Sequence, residues 1–264
     1  MENIYQIFCS EQILLHIPHS SIQIPEKYLN SFYLNEEQLN QELLRMTDWY
    51  TDELFDDPQI PEENRIVFPY SRLICDVERF RNDEEEVMAG RGMGVCYTAT
   101  SSLKPLKKVT SPQKREVLQI YDRHHQKLSM AAKRVMKKYG TALLIDCHSF
   151  ASERLPYETT GSLLRPDICI GTDPACHTPE WLSGFLEKAF SNLGYSVAVN
   201  EPFSGTMVPT NYYHREPAFL SVMIEVNRRL YINEKTGTKT EGFEQLKTDC
   251  EKIIWRLKEA EREV

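Results

Sequence analysis

The chain has 264 residues, with 31 Lys and Arg against 39 Asp and Glu, and a formal net charge of −8. That length supports one large α/β domain or two small ones around a sizeable core. The acidic balance argues against a broad nucleic-acid or anionic-membrane surface, so an anionic ligand must be held by a local basic cluster.

The seven cysteines are odd in number and form no CxxC pair. Neither a disulfide framework nor a Cys-rich zinc site follows from them, and free thiols in a reducing cytoplasm are expected. The first ten residues carry no Lys or Arg, and the apolar run Ile13–Ile17 is too short for a signal core or a membrane span. A soluble cytoplasmic protein is the expectation.

The first predicted strand is Ile13–Ile17, within ILLHIPHSS. Its exit carries two histidines, although a buried strand has no need of imidazoles there. Asn35 is a candidate N-cap, and Gln38 completes a capping-box pattern for one helix through NEEQLNQELLRMTDWYTDELF. Leu39, Leu43, Met46, Tyr50 and Leu54 form its apolar stripe, with Leu44 and Phe55 on the far side near Asp48. Arg65–Phe68 and Leu73–Val77 read as short extended runs around a proline corner.

Residues 78–110 read as a long loop, acidic from Glu78 to Glu86, and a connection of that length is usually functional or mobile. GRGMG within it lacks the strand–turn–helix context of a dinucleotide fingerprint. Ser111 as N-cap and Pro112 as first helical residue open the longest helix, which Gly140 closes. Thr141–Cys147 is then a strand running into His148. Ile168–Ile170 and Tyr195–Val199 are extended, with a helix between them from Thr178-Pro179 to Gly194. Ala218–Ile224 is the last strand and delivers Glu225. An amphipathic helix runs from about Glu241 to the C-terminus. Strands alternating with long helices predict one domain, residues 1–264, of three-layer α/β/α architecture with a mostly parallel, mixed central sheet.

Three strands end in polar residues: His19; Asp146 and His148; and Glu225. In a parallel sheet those ends share one edge, where ligands of open α/β folds gather. Two His plus a carboxylate with an open position make a catalytic zinc sphere, and a further carboxylate can take a proton from water. Each residue also has a plainer reading. His16 lies inside its strand and reads as a satisfied interior histidine. Asp146 and His148, two apart, share a face and suit either a ligand with its supporting carboxylate or a simple Asp–His hydrogen bond. His124, His125, His177 and His214 read as surface or packing residues. A carboxylate ending the run AFLSVMI is costly unless paired or used, and Arg228 or Arg229 could pair with it.

HIPHSS, TDWYTDELF, SRLICDVERF, LIDCHSF, ICIGTD, NEPFSGT and IEVNRRLY occur in the order found in the N-formylglutamate amidohydrolase family, which the chain resembles from Leu14 to Tyr231. The family's phosphorylase/hydrolase-like fold resembles that of the zinc carboxypeptidases and aspartoacylases. The resemblance implies a metal-dependent hydrolase of a linear amide, with His19 and His148 as Zn2+ ligands. Carboxypeptidases place a glutamate three residues after the first histidine, where this chain has Ile22. The family's TDW motif offers Asp48 instead, with Glu53 as runner-up.

By the same resemblance Glu225 is the general base, Arg79 stabilises the oxyanion, and Arg72, Arg91 and Arg228 are candidates for the substrate carboxylates. Arg forks suit that task, although each could equally be a surface or structural ion-pair arginine. Ser204 and Gly205 fall in the family's substrate loop. Family members often carry Asn where this chain has Glu78. The implied substrate is N-formyl-L-glutamate, a step of histidine catabolism, and the expected partner is a small N-acyl amino acid, with neither nucleic acid nor membrane and the oligomeric state left open. A carboxypeptidase-like or peptidoglycan-fragment amidase, or a non-catalytic binder of acidic ligands, are the alternatives.

Overall fold

The computed structural model describes residues 8–158 and 165–259. Six strands form the main sheet: β1 (Ile13–Ile17), β2 (Arg65–Val67), β3 (Ala142–Phe150), β4 (Ile168–Gly171), β5 (Val197–Val199) and β6 (Phe219–Asn227). Their spatial order is β2-β1-β3-β6-β4-β5, and every pairing is parallel except β4 with β6. The mixed, mostly parallel sheet predicted from the alternation of strands and helices is the one observed. A small antiparallel pair, β7 (Ile232–Asn233) and β8 (Thr238–Lys239), stands apart.

The helices are α1 (Glu26–Leu29), α2 (Glu36–Met46), α3 (Thr51–Leu54), α4 (Ser111–Tyr139), α5 (Glu180–Asn192) and α6 (Gly242–Glu259). Both faces of the sheet are covered, which is why β1, β3 and β6 are buried at every position. The period of two divides the layers. Ile13, Leu15, Ile17, Leu143, Ile145, Val222 and Ile224 pack with α5 and α6, whereas Leu14, Ala142, Leu144 and Phe219 meet Leu128, Ala132 and Val135 of α4. No described helix is long and apolar enough to cross a membrane.

The structure corrects several boundaries. The helix expected to run through Phe55 stops at Met46, because Thr47 is extended and Tyr50 adopts a left-handed conformation with φ of 59°. Thr47 N–H still donates to Leu43, while Asp48 N–H donates to the His19 carbonyl, so a tertiary hydrogen bond replaces a helical one. The apolar stripe continues across the break, which is why spacing alone concealed it.

Leu73–Val77 is not a strand. It folds into turns, with Ile74 N–H on the Ser71 carbonyl and Asp76 N–H on that of Val95. The N-cap of α4 is Thr110, not Ser111, and its capping box is closed by Gln113. The predicted β3 and β6 each end too early: both extend beyond the apolar run to include the polar residues. The C-terminal end of the last predicted helix lies outside the described residues.

Candidate metal centre

The carboxyl ends of β1, β3 and β6 lie side by side because the three strands are mutually parallel. In β3 and β6, His148 and Glu225 are Cα partners, so both side chains leave the same face of the sheet. His19 lies just past β1, and the break between α2 and α3 turns Asp48 inward. All four are buried.

Their polar atoms converge. Asp48 Oδ2 lies 3.0 Å from His148 Nδ1 and 3.6 Å from His19 Nδ1. A tetrahedral zinc sphere with bonds of about 2.0–2.1 Å spaces its ligands roughly 3.3 Å apart. His19 Nδ1 and Glu225 Oε2 are buried without a hydrogen-bond partner. Such atoms are costly in an apolar interior, and here they sit beside a donor set (two imidazoles and a carboxylate) that fits a borderline-soft divalent cation.

A surrounding shell fixes these groups. Asp76 Oδ1 lies 2.9 Å from His19 Nε2, the carboxylate–imidazole arrangement that orients a metal-binding ring. Asp76 Oδ2 accepts from Tyr97 Oη at 2.6 Å and from Arg72 Nη2 at 2.8 Å, with Arg79 Nε 3.4 Å away. Arg228 donates to the Arg45 carbonyl at 2.7 Å and touches the Ser149 carbonyl and Asp48. Asp146 is 2.8 Å from His16 Nδ1 and 3.2 Å from His148 Nε2, and its other oxygen accepts Met207 N–H.

Electrostatics follow from burial and these partners. Burial pushes the Glu225 carboxyl up to about 8, with the nearby Asp48 charge acting in the same direction. Burial would raise Asp48, Asp76 and Asp146 too. For Asp48 and Asp146 the neighbouring imidazoles prevail, and for Asp76 the Arg72 charge leads, so all three stay well below the usual carboxylate range. His16 resists the downward push of burial through its bonds to Asp146 and Glu78 and rises to about 9.

Among the residues singled out from the sequence, the structure brings together His19, Asp48, His148, Glu225, Arg72, Arg79 and Arg228. Glu53 is not among them: it pairs with Lys239 at 2.5 Å on the surface, because α3 carries it away after the helix break. Arg91 reaches the Tyr157 carbonyl instead of the clustered acids. Ser204 is exposed. Gly205, at φ of 87°, lets its carbonyl approach β4 so closely that a Cβ on Gly171 would lie 2.3 Å from it.

Sequence reasoning missed Asp76 and Tyr97. Asp76 sits in the quoted SRLICDVERF segment, and its position at the end of the apolar Leu73–Cys75 run was the available signal; Tyr97 carried none. For His124 the packing reading holds: it is buried, with Nε2 2.8 Å from His16 Nε2. His177 is also buried and bonded to the Phe219 carbonyl.

The model of the N-formylglutamate amidohydrolase family matches residues 11–232. An N-formylglutamate deformylase of Pseudomonas putida is 26% identical over 233 residues, covering 84% of this chain and 82% of that protein. One from Pseudomonas aeruginosa is 25% identical over 195 residues, 72% of each. The crystal structure of N-formylglutamate amidohydrolase from Ralstonia eutropha superposes with a TM-score of 0.81 at 19% identity, covering 94% of this chain and 93% of that one. A gene product from Agrobacterium tumefaciens gives a TM-score of 0.64 at 16% identity, over 94% and 91%.

Proposed function

The chain belongs to the N-formylglutamate amidohydrolase family and is a hydrolase of a linear amide; we propose that it cleaves N-formyl-L-glutamate to formate and L-glutamate, with zinc held by His19, Asp48 and His148. The observation that carries the chemistry is the buried, unpartnered Glu225 Oε2 in register with His148. The names of the Pseudomonas relatives support the substrate.

Bound among the three donors, a divalent cation would supply Lewis acidity toward the formyl oxygen and toward water. Glu225, whose proton affinity lies near neutrality, accepts the proton of the attacking water as the new carbon–oxygen bond forms. It then delivers that proton to the departing glutamate nitrogen as the carbon–nitrogen bond breaks. Asp76 holds the His19 ring in one orientation throughout. Arg79 is the candidate cation for the charge developing on the former carbonyl oxygen. One well-aimed donor in such a role is worth roughly 2.7–4 kcal/mol.

Arg72 keeps a buried Nε without a hydrogen-bond partner, which favours it as the grip for a substrate carboxylate. Arg228 has its guanidinium occupied by main-chain carbonyls and Asp48. Its role in this reading is to hold Asp48 in place. The seven free cysteines support a reducing, cytoplasmic setting, and residues 1–264 act as one catalytic unit on a small molecule.

The test joins metal analysis of the purified protein with formate release from N-formyl-L-glutamate before and after chelation. Near one zinc per chain with chelator-sensitive release is expected. Bound metal without formate release would overturn the substrate, and no metal after zinc is offered would overturn the mechanism.

A further inference from the structure

We propose that His16, Glu78 and Asp146 form a second divalent-cation site beside the first. His16 Nδ1 lies 2.8 Å from Asp146 Oδ1 and 3.2 Å from Glu78 Oε1. The three ligand atoms lie within 4.8 Å of one another. These separations are close to the roughly 3.3 Å edge of a tetrahedral sphere.

The two carboxylates meet imidazoles and one backbone N–H, but no side chain with a permanent positive charge among the described residues. Among the described residues no Lys or Arg pairs with Asp146 or Glu78. Asp76, two residues before Glu78, is by contrast met by both Arg72 and Arg79. Buried carboxylates normally pair with a cation or coordinate a metal. Glu78 Oε1 is buried without a hydrogen-bond partner.

A second, independent observation points into the same space. The His148 side chain is 5% exposed, and its Nε2 is unpartnered. That atom faces Asp146 Oδ1 at 3.2 Å and Glu78 Oε2 at 3.8 Å. His148 Nδ1 is on Asp48 and Nε2 is turned toward two acids; once Nδ1 takes the first cation, Nε2 carries the ring proton and steadies Asp146 Oδ1 as a ligand.

Supporting contacts orient the set. His124 Nε2 meets His16 Nε2 at 2.8 Å, fixing the ring with Nδ1 toward the acids, and Met207 N–H takes Asp146 Oδ2, leaving Oδ1 to face the two imidazoles. Imidazole with two carboxylates suits zinc, cobalt or manganese better than calcium or magnesium. Because His148 stands between the two sites, they fill one after the other and not independently.

The competing occupant is a proton on His16, whose imidazolium would face the same acids. Metal counting separates the two. Metal-free protein is titrated with Co2+, bound metal is counted by mass spectrometry after dialysis, and the visible absorption is recorded. Two ions per chain are expected for the wild type, the second with its own spectral change, and one ion for Glu78→Gln. This isosteric change sits on a side chain 17% exposed, so the fold survives it. Saturation of the wild type at one ion, or two ions retained by Glu78→Gln, would overturn the second site and leave the proposed function standing. Absence of any bound metal would overturn both.

Discussion

His148 and Glu225 face each other as Cα partners across the β3–β6 ladder, the longest strand pairing in the sheet. A slip of one residue in either strand would turn that strand's side chain to the opposite face, so the register that builds the core also keeps an imidazole beside a carboxyl. Replacing Glu225 by Gln keeps the shape and removes the proton acceptor. Turnover is expected to fall by about 10²–10⁴-fold, with metal content unchanged. Formate release and metal analysis on the same preparation check this, and retained turnover would place proton transfer elsewhere.

Asp76→Asn removes the charge that orients His19 Nε2. Loss of such a supporting carboxylate costs about 10–100-fold in metal affinity. Competition against a chromogenic chelator should show that drop. An unchanged affinity would make Asp76 only a counter-ion for Arg72 and Arg79.

Gly171→Ala places a Cβ 2.3 Å from the Gly205 carbonyl and 2.4 Å from Met223 Cε. The methionine end can move by rotation, whereas the Gly205 carbonyl can yield only if the main chain shifts. Overpacking of this kind costs about 1–3 kcal/mol, read as a lower midpoint of denaturation. The same shift pulls Met207 N–H from Asp146, so metal affinity should weaken with stability.

The architecture was legible because β1, β3 and β6 are apolar runs buried on both faces, and such runs announce a covered parallel sheet. His19, His148 and Glu225 could be found because each interrupts or follows one of those runs. Asp48 could not be separated from Glu53 by periodicity, since the hydrogen bond from Asp48 N–H to the His19 carbonyl ends α2 without disturbing the apolar stripe. Asp76 was hidden for a related reason. Its segment has the composition of a strand, but Ser71 and Val95 capture its backbone in turns. In both cases a long-range backbone contact overrode local pattern.

Stability of the metal-free protein should fall as pH rises from about 6 to 9. His16 is raised to about 9 from an ordinary 6.5, so its contribution is complete below 6.5 and is lost as pH climbs through 9, on the order of 3 kcal/mol. Glu225 is raised to about 8 from 4.5. The unfolded chain sheds this proton first, so its effect runs in the same direction. Asp48, Asp76 and Asp146 are held low and contribute above an ordinary carboxylate range, losing that on acidification. Melting of chelated protein should therefore be highest under mildly acidic conditions. A flat profile from pH 6 to 9 would contradict the assigned partners of His16.

β1 sits between β2, a near neighbour in sequence, and β3; 130 residues separate His16 from its partner Asp146. A chain emerging from the ribosome thus exposes both N-terminal histidines long before the strand that completes their surroundings exists. Until residue 148 has been made, His19 and Asp48 lack their third donor and the edge of β1 that takes β3 stays open. Capture of the proposed metal would in this way be a late event of biogenesis, because its three donors come together only once β3 exists.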